Sequence, residues 1–159
     1  METIKGDITD TELLFKLRVN IIAHGCNIRS IMGAGVALQI RNKFPEAYQA
    51  DVEFDKKDTN RLGDYSIAEH RYMVDGRLFP LSLGIANLYQ QDLYNSDNQT
   101  PLQIDKLEKA LIKLRKNNPR SKIALPAFIG CGLARGDWSV VKPMVESVLG
   151  DNAVWIQFE

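Results

Sequence analysis

Hydrophobic residues along the chain fall into short clusters, separated by segments rich in charged residues, glycine and proline. Six apolar or β-branched clusters predict strands. They cover residues 3–5, 19–24, 65–69, 78–88, 123–126 and 154–158. Several of these clusters, such as VNIIA and KIALPAF, are continuously apolar rather than alternating, which is typical of strands buried on both faces. The pattern therefore predicts an α/β protein with helices on both sides of a sheet.

Helical periodicity predicts three helices, at residues 34–43, 102–116 and 138–149. Helix-breaking residues bound them, namely Pro45, Pro119 and Gly150. A fourth, shorter helix is expected after Pro45. The charged, turn-rich segment 55–63 predicts a solvated loop with nothing to bury. No internal repeat and no long linker divides the sequence, so we expect one domain over residues 1–159.

The composition adds limits on function. The 159 residues are 45% hydrophobic and 25% charged, which fits one compact domain with a sizeable core. Basic and acidic residues balance at 20 each, so no global field attracts nucleic acid or an acidic membrane surface. Any anion must be bound by local geometry. We expect a monomer with neither a nucleic-acid polymer nor a membrane as partner.

The apolar runs and the cysteine count add expectations about localisation and about the state of the thiols. No apolar run approaches the roughly 20 residues that span a bilayer, and the first residues, METIKGDITD, lack the apolar core of a signal peptide. A cytoplasmic protein is expected. Two cysteines, Cys26 and Cys131, are too few for a disulfide scaffold or a four-ligand zinc site. We interpret both as reduced thiols, and we expect no metal or cofactor.

The segment HGCNIRSIMGAGVALQI, residues 24–40, leads from a predicted strand into a predicted helix. Glycines at such a corner let main-chain N–H groups approach an anion, with the positive end of the helix dipole behind them. The dinucleotide fingerprint fails here because Leu38 occupies the place of its third glycine, and no Gly-Lys-Ser/Thr follows as in a phosphate-binding P-loop. Taken alone, this corner is better explained as a tight turn.

A second corner changes that interpretation. The segment KIALPAFIGCGLARGDW, residues 122–138, also runs from a buried strand through glycines toward a helix. Ligands of α/β proteins bind beyond the carboxyl ends of the strands. If the two strands lie near the centre of the sheet, the two loops can hold a diphosphate between opposed N–H groups, without lysine or metal.

These segments, taken in order, resemble a macrodomain, the ADP-ribose-binding module. KGDIT, AHGCN, MGAGVALQI with FPEAY, and LPAFIGCGLARGDW are similar to successive family motifs, and the likeness covers nearly the whole chain. The resemblance implies a three-layer α/β/α sandwich with a central mixed β-sheet. The His-Gly-Cys-Asn and Met-Gly-Ala-Gly variants resemble the branch of ADP-ribose-1″-phosphate phosphatases and terminal ADP-ribose protein glycohydrolases.

The resemblance also implies a set of ligand contacts. Asp7 would accept a hydrogen bond from the adenine amino group, with the Ile8 main chain beside it, and Asn27 would contact the distal ribose. The first loop would supply Gly33, Ala34, Gly35 and Val36, and the second Ile129, Gly130, Cys131, Gly132 and Leu133. Phe158 would lie against adenine. Without the resemblance, Asp7 is an N-cap or turn residue and Asn27 a turn amide.

The candidate catalytic residues are His24, Asn27 and Asp137, and the phosphatase branch that the chain resembles keeps a histidine at the position of His24. His24 would donate a proton or orient the attacking water, and the alternative is a structural imidazole. Asp137 would act beside the second loop as a general base or as a carboxylate that orients water, and the alternative is a charge at a helix N-terminus. Glycohydrolases of the terminal type carry a lysine nucleophile and an aspartate, whereas this chain has Gln90 or Gln91 and Ala134 at those positions. The lysine route is therefore disfavoured.

The resulting hypothesis is a macrodomain that binds ADP-ribose and hydrolyses the phosphomonoester of ADP-ribose-1″-phosphate. Two alternatives remain open. The first is a reader that binds ADP-ribose, free or on modified proteins, without turnover. The second is a glycohydrolase that releases ADP-ribose from proteins by a route other than the lysine nucleophile.

Overall fold

A computed structural model describes residues 1–54, 58–92 and 102–159. Six strands form one sheet: β1 (Glu2–Lys5), β2 (Ile21–Asn27), β3 (Tyr65–Val74), β4 (Arg77–Gln91), β5 (Ile123–Pro126) and β6 (Ala153–Gln157). The five α-helices of the described residues are α1 (Thr11–Lys16), α2 (Gly35–Lys43), α3 (Pro45–Glu53), α4 (Ile104–Asn117) and α5 (Trp138–Leu149). A short 3₁₀ turn covers Asp58–Arg61.

The strand order across the sheet is β1-β6-β5-β2-β4-β3. Neighbouring strands run parallel, except that the edge strand β3 pairs antiparallel with β4. The predicted α/β class and mixed central sheet are therefore confirmed. Strands β5 and β2 occupy the middle of the sheet, so the loops that follow them start side by side at its carboxyl edge.

Two hydrophobic cores flank the sheet. Helices α4 and α5 pack Leu111 and Val145 against one face, together with the fully buried Trp155. The other face is covered by α1, α2 and α3, which contribute Leu14 and Ile40 among others. Alternating residues of each central strand supply both cores, which explains why these strands are apolar without interruption. The three-layer α/β/α arrangement follows.

Several predicted boundaries are corrected. Strand β2 begins at Ile21 rather than at residue 19 and continues to Asn27, so residues 25–27 belong to the strand and not to the loop. Both β3 and β4 are longer than predicted, because they form an extended hairpin. Helix α4 begins at Ile104, two residues later than predicted. The helix expected after Pro45 is present as α3, and α5 has the predicted bounds.

Helix α1 was not predicted. It has six residues, of which only Leu14 is buried, so it shows almost no periodicity. Its start is set by Asp10, whose carboxylate accepts hydrogen bonds from the N–H groups of Glu12 and Leu13. An isolated helix of this length is unstable in water, and packing against the sheet stabilises it here.

The solvated loop predicted at residues 55–63 is wrong in its described part. Arg61 is 3% exposed, and its guanidinium pairs with Asp51 at 3.0 Å. The segment therefore buries a cation rather than leaving its charges in water, and residues 55–57 lie outside the described part of the chain. Within the described residues, every helix is too short or too polar to cross a membrane.

Candidate functional site

A cavity of about 510 Å³ opens where β2 and β5 separate at the carboxyl edge of the sheet. The two strands pair at only two positions, Ile21 with Ile123 and Ile22 with Ala124. Beyond them the chains diverge into the two glycine loops. The described residues that line the cavity are 24–27, 31, 34–37, 90, 91 and 126–134. The expectation that the two loops face each other is confirmed.

The first loop is braced by Asn27. Its Oδ1 accepts hydrogen bonds from the N–H groups of Arg29 (2.9 Å) and Ile31 (3.3 Å), and its Nδ2 donates to the Ile31 carbonyl at 2.8 Å. Asn27 therefore acts as a turn amide, the alternative role that the sequence left open for it. Asn27 also lines the cavity, so contact with a ligand is compatible with this bracing role.

The start of helix α2 faces the cavity. Ala34 is the N-cap in an extended conformation, and no side chain caps this terminus. Gly35 has φ +58°, which favours glycine, and Ala34, Gly35 and Val36 all line the cavity. Uncapped N–H groups at the positive end of a helix dipole form a site for an anion. This end of the cavity is suited to phosphate.

The second loop is a series of tight turns. The N–H of Cys131 donates to the Phe128 carbonyl, and that of Gly136 to the Gly130 carbonyl. A Cβ on Gly136 would overlap Leu102 and the Gly130 carbonyl, so this position admits only glycine. At Gly132 a Cβ would meet nothing within 4 Å. Gly132 lines the cavity, so its missing side chain leaves room there for a ligand.

His24 lies in the wall of the cavity on β2, yet it is only 1% exposed. Its Nε2 is 2.6 Å from Oδ1 of Asn87 on the neighbouring strand β4. Burial lowers the pKa of the imidazole from 6.5 to about 4, and the hydrogen bond to Asn87 opposes this only partly. The ring is therefore neutral at pH 7. Its Nε2 is engaged by Asn87, and its Nδ1 lies 3.7 Å from Sγ of Cys26, so Nδ1 is the ring atom left to accept a hydrogen bond from water. The structure does not support proton donation from an imidazolium.

A buried chain of hydrogen bonds continues from His24 across the sheet. Asn87 donates to Oγ of Ser66 (3.0 Å), Ser66 and Tyr89 share a hydrogen bond of 2.8 Å, and Tyr89 donates to Asp51 at 2.8 Å. Burial raises the pKa of Asp51, and the hydrogen bond from Tyr89 and the nearby Arg61 oppose this rise. The wall of the cavity is thus tied to the buried ion pair on α3.

Both cysteines are free thiols in the structure, as predicted. Burial raises the pKa of Cys26, and it also raises that of Cys131, where the charge of Asp137 adds to the effect. The reactive species of cysteine is the thiolate. Although both residues line the cavity, these environments favour small packing side chains over nucleophiles.

Five predicted site residues stand outside the lining of this cavity: Asp7, Ile8, Gly33, Asp137 and Phe158. Asp137 caps helix α5 by accepting a hydrogen bond from the Ser139 N–H at 3.0 Å, as its alternative interpretation predicted. A catalytic role for Asp137 therefore finds no support in its position.

The proposed adenine residues lie beyond β5 at the same edge of the sheet. Asp7 follows β1, where its carboxylate accepts hydrogen bonds from the N–H and hydroxyl of Thr9 at 2.8 and 2.7 Å. Ile8 is buried in the core, so only its main chain is suited to a ligand contact. Phe158 follows β6 and is 70% exposed. These residues follow the two strands on the side of β5 away from β2, outside the cavity itself.

Sequence reasoning missed Phe128 as a residue of the site. It lines the cavity, is half exposed, and has φ +64°, an unusual backbone conformation for a bulky residue. Its ring lies 4.9 Å from Trp138, which in turn packs on Trp155 at 4.8 Å. An aromatic residue two positions after a buried strand was the available signal. Gln90, Gln91 and Ala134, singled out as departures from the glycohydrolases, also line the cavity.

Comparison with known sequences found two informative relatives. The chain is 32% identical over 152 residues to an uncharacterized 17.5 kDa protein of Enterobacteria phage T4, covering 91% of this chain and 86% of that protein. It is 32% identical over 104 residues to the ADP-ribose 1″-phosphate phosphatase of Candida albicans, covering 65% of this chain and 58% of that enzyme. No protein-family model matches the sequence.

Solved structures show the same fold. The macrodomain of Thermus aquaticus DarG superimposes with a TM-score of 0.66 at 23% identity, covering 99% of this chain and 97% of that one. Thermosipho africanus DarTG, solved in complex with ADP-ribose, gives a TM-score of 0.70 at 20% identity, covering all of this chain and 42% of that one. The chain therefore has the macrodomain fold, with a mixed six-stranded sheet between helices and two glycine loops at its carboxyl edge.

Proposed function

We propose that this macrodomain binds ADP-ribose and hydrolyses the phosphomonoester of ADP-ribose-1″-phosphate. The observation that carries the proposal is that both glycine loops open onto one cavity at the ends of neighbouring parallel strands. A volume of about 510 Å³ falls within the usual range of roughly 300 to 1,000 Å³ for small-molecule sites. The chain is also similar to a fungal ADP-ribose 1″-phosphate phosphatase.

In this proposal the diphosphate lies between the two loops. The first loop supplies main-chain N–H groups of Gly33, Ala34, Gly35 and Val36, at the positive end of α2. The second supplies the backbone of Ile129, Gly130, Cys131, Gly132 and Leu133. Because peptide dipoles alone balance the phosphate charge, the zero net charge of the chain is no obstacle.

The ends of the ligand extend in opposite directions from the diphosphate. The adenine points toward Asp7 and the Ile8 main chain at the β1 side of the sheet, and Phe158 supplies an exposed ring there. The distal ribose lies by Asn27, at the carboxyl end of β2. This orientation places the 1″ substituent near His24.

Hydrolysis would consume one water molecule. Its oxygen attacks the terminal phosphorus, the bond between phosphorus and the 1″ oxygen breaks, and ADP-ribose and inorganic phosphate are released. The neutral imidazole of His24 orients the water by accepting a hydrogen bond at Nδ1, since its Nε2–H is bonded to Asn87 and a pKa of about 4 leaves no imidazolium at neutral pH.

A specific observation favours the reader alternative as the second candidate. Among the described lining residues there is no aspartate, glutamate, lysine or arginine. General acid–base catalysis needs a positioned group that changes protonation, and His24 is the only titratable candidate apart from the thiols in this lining. A cavity with donors for the ligand but no strong base is suited to binding without turnover.

Three assays, one of them repeated on a His24 variant, separate the phosphatase, the reader and the glycohydrolase. Calorimetry with ADP-ribose tests the shared premise, and absence of saturable binding at millimolar ligand would exclude all of them. Release of inorganic phosphate from ADP-ribose-1″-phosphate is expected for the enzyme and absent for the reader. Unchanged turnover in a His24→Ala variant would exclude the role given to His24. Release of ADP-ribose from a mono-ADP-ribosylated protein would identify the glycohydrolase.

A further inference from the structure

Strand β3 ends the sheet on one side, and within the described residues no strand pairs with its outer edge. The Tyr89 N–H on β4 donates to the Asp64 carbonyl just before β3, and in an antiparallel pair the direction of the main-chain groups alternates along the strand. The even-numbered residues of β3 therefore bond to β4. The odd-numbered residues, from 65 to 73, direct their N–H and carbonyl groups outward. Such an edge is a template for another strand.

The side chains of these odd-numbered residues lie on the face of β3 away from α3. Ile67 is 42% exposed and Met73 is 55% exposed. Glu69 and Arg71 lie between them and are exposed as well, and neither forms an ion pair with another described residue. On the opposite face Tyr72 is buried in the core. The edge therefore presents two charges of opposite sign between two apolar side chains.

This order of side chains favours one register when β3 pairs with itself. Two copies related by a two-fold axis pair antiparallel, so each residue lies opposite a fixed residue of the second copy. With the axis at His70, Glu69 lies opposite Arg71. The same register places Ile67 opposite Met73.

Other registers of the same kind are unfavourable. An axis one residue away places Glu69 or Arg71 opposite its own copy, where like charges repel. An axis two residues away places an apolar side chain opposite a charged one. The outward main-chain groups meet in all of these registers, so the side chains decide between them.

The apolar contact continues beyond β3. Met73 pairs with Leu78 on β4, and Leu78 is 60% exposed. In the favoured register Ile67 of one copy extends the row that Met73 and Leu78 form in the other. The second copy thus covers apolar side chains that are exposed in a single chain. Its charges and apolar groups both match, which argues for a second copy as the occupant of this edge.

We propose that two copies of this chain associate through β3, antiparallel about a two-fold axis at His70, and form one sheet continuous across both molecules. A single pair of strands buries little surface, so the association is weak and depends on protein concentration. The two carboxyl edges then point in opposite directions, which places the two cavities at opposite ends of the joint sheet. This inference does not depend on the ligand, and it differs from the monomer expected from the composition.

The test exchanges the charges of the paired residues. Glu69→Arg and Arg71→Glu each place like charges opposite one another, and the double variant Glu69→Arg/Arg71→Glu restores opposite charges in reversed order. Glu2→Arg is the matched control, because Glu2 is an exposed glutamate on β1, the strand at the other edge of the sheet. Sedimentation velocity at protein concentrations up to about 1 mM measures dimerisation, and thermal melting establishes that each variant is folded.

We expect wild type and Glu2→Arg to dimerise with the same dissociation constant. Each single variant should weaken dimerisation by about tenfold or more, since both charge pairs across the two-fold axis change from attraction to repulsion. The double variant should return to within about threefold of wild type. An equimolar mixture of the two single variants should form a mixed dimer, because every charge pair between them is opposite in sign.

A wild-type chain that stays monomeric up to about 1 mM would overturn the proposal. Dimerisation that neither single variant weakens, or that Glu2→Arg weakens as much, would overturn pairing through β3. Absence of a mixed dimer from two folded single variants would overturn the register. If a single variant does not fold, a folded double variant that stays monomeric while wild type dimerises would overturn the register in the same way.

Discussion

The imidazole of His24 and the amide of Asn87 form a buried pair across β2 and β4, with Nε2 and Oδ1 2.6 Å apart. The Asn87 Nδ2 donates to the Ala47 carbonyl and to Oγ of Ser66, both at 3.0 Å. These bonds fix Oδ1 as the acceptor, so the His24 Nε2 carries the proton and Nδ1 keeps its lone pair. The tautomer of the candidate catalytic histidine is thus set by residues outside the cavity.

The first prediction concerns stability against pH. His24 has a folded pKa of about 4 and an unfolded value of 6.5, so the unfolded chain binds a proton first as the pH falls. The free energy of unfolding should therefore decrease between pH 6.5 and pH 4, by about 3 kcal/mol from this residue. Urea denaturation measured across this pH range checks it.

Substitutions of the two histidines of the chain test this assignment, with His70→Gln as the control. His24→Gln retains a donor for Asn87 without titrating near neutral pH, and it should flatten the decrease between pH 6.5 and pH 4. His70→Gln replaces a partly exposed histidine that lies 3.0 Å from Glu46, and it should leave the His24 component in place. An unaltered pH profile in His24→Gln would show that this imidazole is not buried in its neutral form.

The second prediction compares two ion pairs. Asp51 and Arg61 are 1% and 4% exposed at their side chains, whereas Arg29 and Asp92 are each 47% exposed. Arg61→Ala leaves a buried carboxylate without its cation and should destabilise the fold by roughly 3 to 5 kcal/mol. Arg29→Ala should cost at most about 1 kcal/mol. Chemical denaturation checks both, and equal effects would contradict the burial of Arg61.

The third prediction separates binding from stability in the second loop. Gly132→Val should leave the melting temperature nearly unchanged, because a Cβ there meets no protein atom within 4 Å, and it should abolish ADP-ribose binding by filling the cavity. Gly136→Val should instead destabilise the protein, since its side chain would overlap Leu102 and the Gly130 carbonyl. Calorimetry and thermal melting distinguish them. Normal affinity in folded Gly132→Val would exclude a close approach of ligand and backbone.

The fourth prediction concerns Asp7. Replacing it with alanine should weaken ADP-ribose binding by roughly 1 to 3 kcal/mol, the range for hydrogen bonds to charged groups. Binding of ribose-5-phosphate, which has no adenine, should not change. Since Asp7 also accepts hydrogen bonds from Thr9, Thr9→Val serves as the control for loss of that turn. Equal losses toward both ligands would contradict adenine recognition by Asp7.

Much of the architecture could be predicted because buried parallel strands and glycine corners leave local signals. The strand before each glycine loop is largely apolar, and the loop residues Gly35 and Gly132 follow the strand ends by eight and six residues. The two loops face each other because β2 and β5, the strands before them, are neighbours in the sheet. Helix α1 was missed because six residues with one buried side chain carry no periodicity.

The features that the sequence did not predict depend on contacts between residues that are distant in the chain. Nothing near Arg61 indicates that it pairs with Asp51 beneath the sheet, so a charged segment was interpreted as solvated. The neutral state of His24 is due to burial, and its tautomer is set by Asn87, 63 residues away, so neither could be inferred from its own strand. Asp137 shows the opposite case, since its position directly before a predicted helix already indicated the cap that is observed.

The central claim is that the two loops hold a diphosphate between them with main-chain N–H groups. The most direct measurement is a crystal structure of the protein soaked with ADP-ribose. The account predicts the diphosphate between Gly35 at the start of α2 and Gly132 of the second loop, with the terminal ribose toward Asn27. Density for the ligand elsewhere on the surface, with this cavity empty, would contradict it.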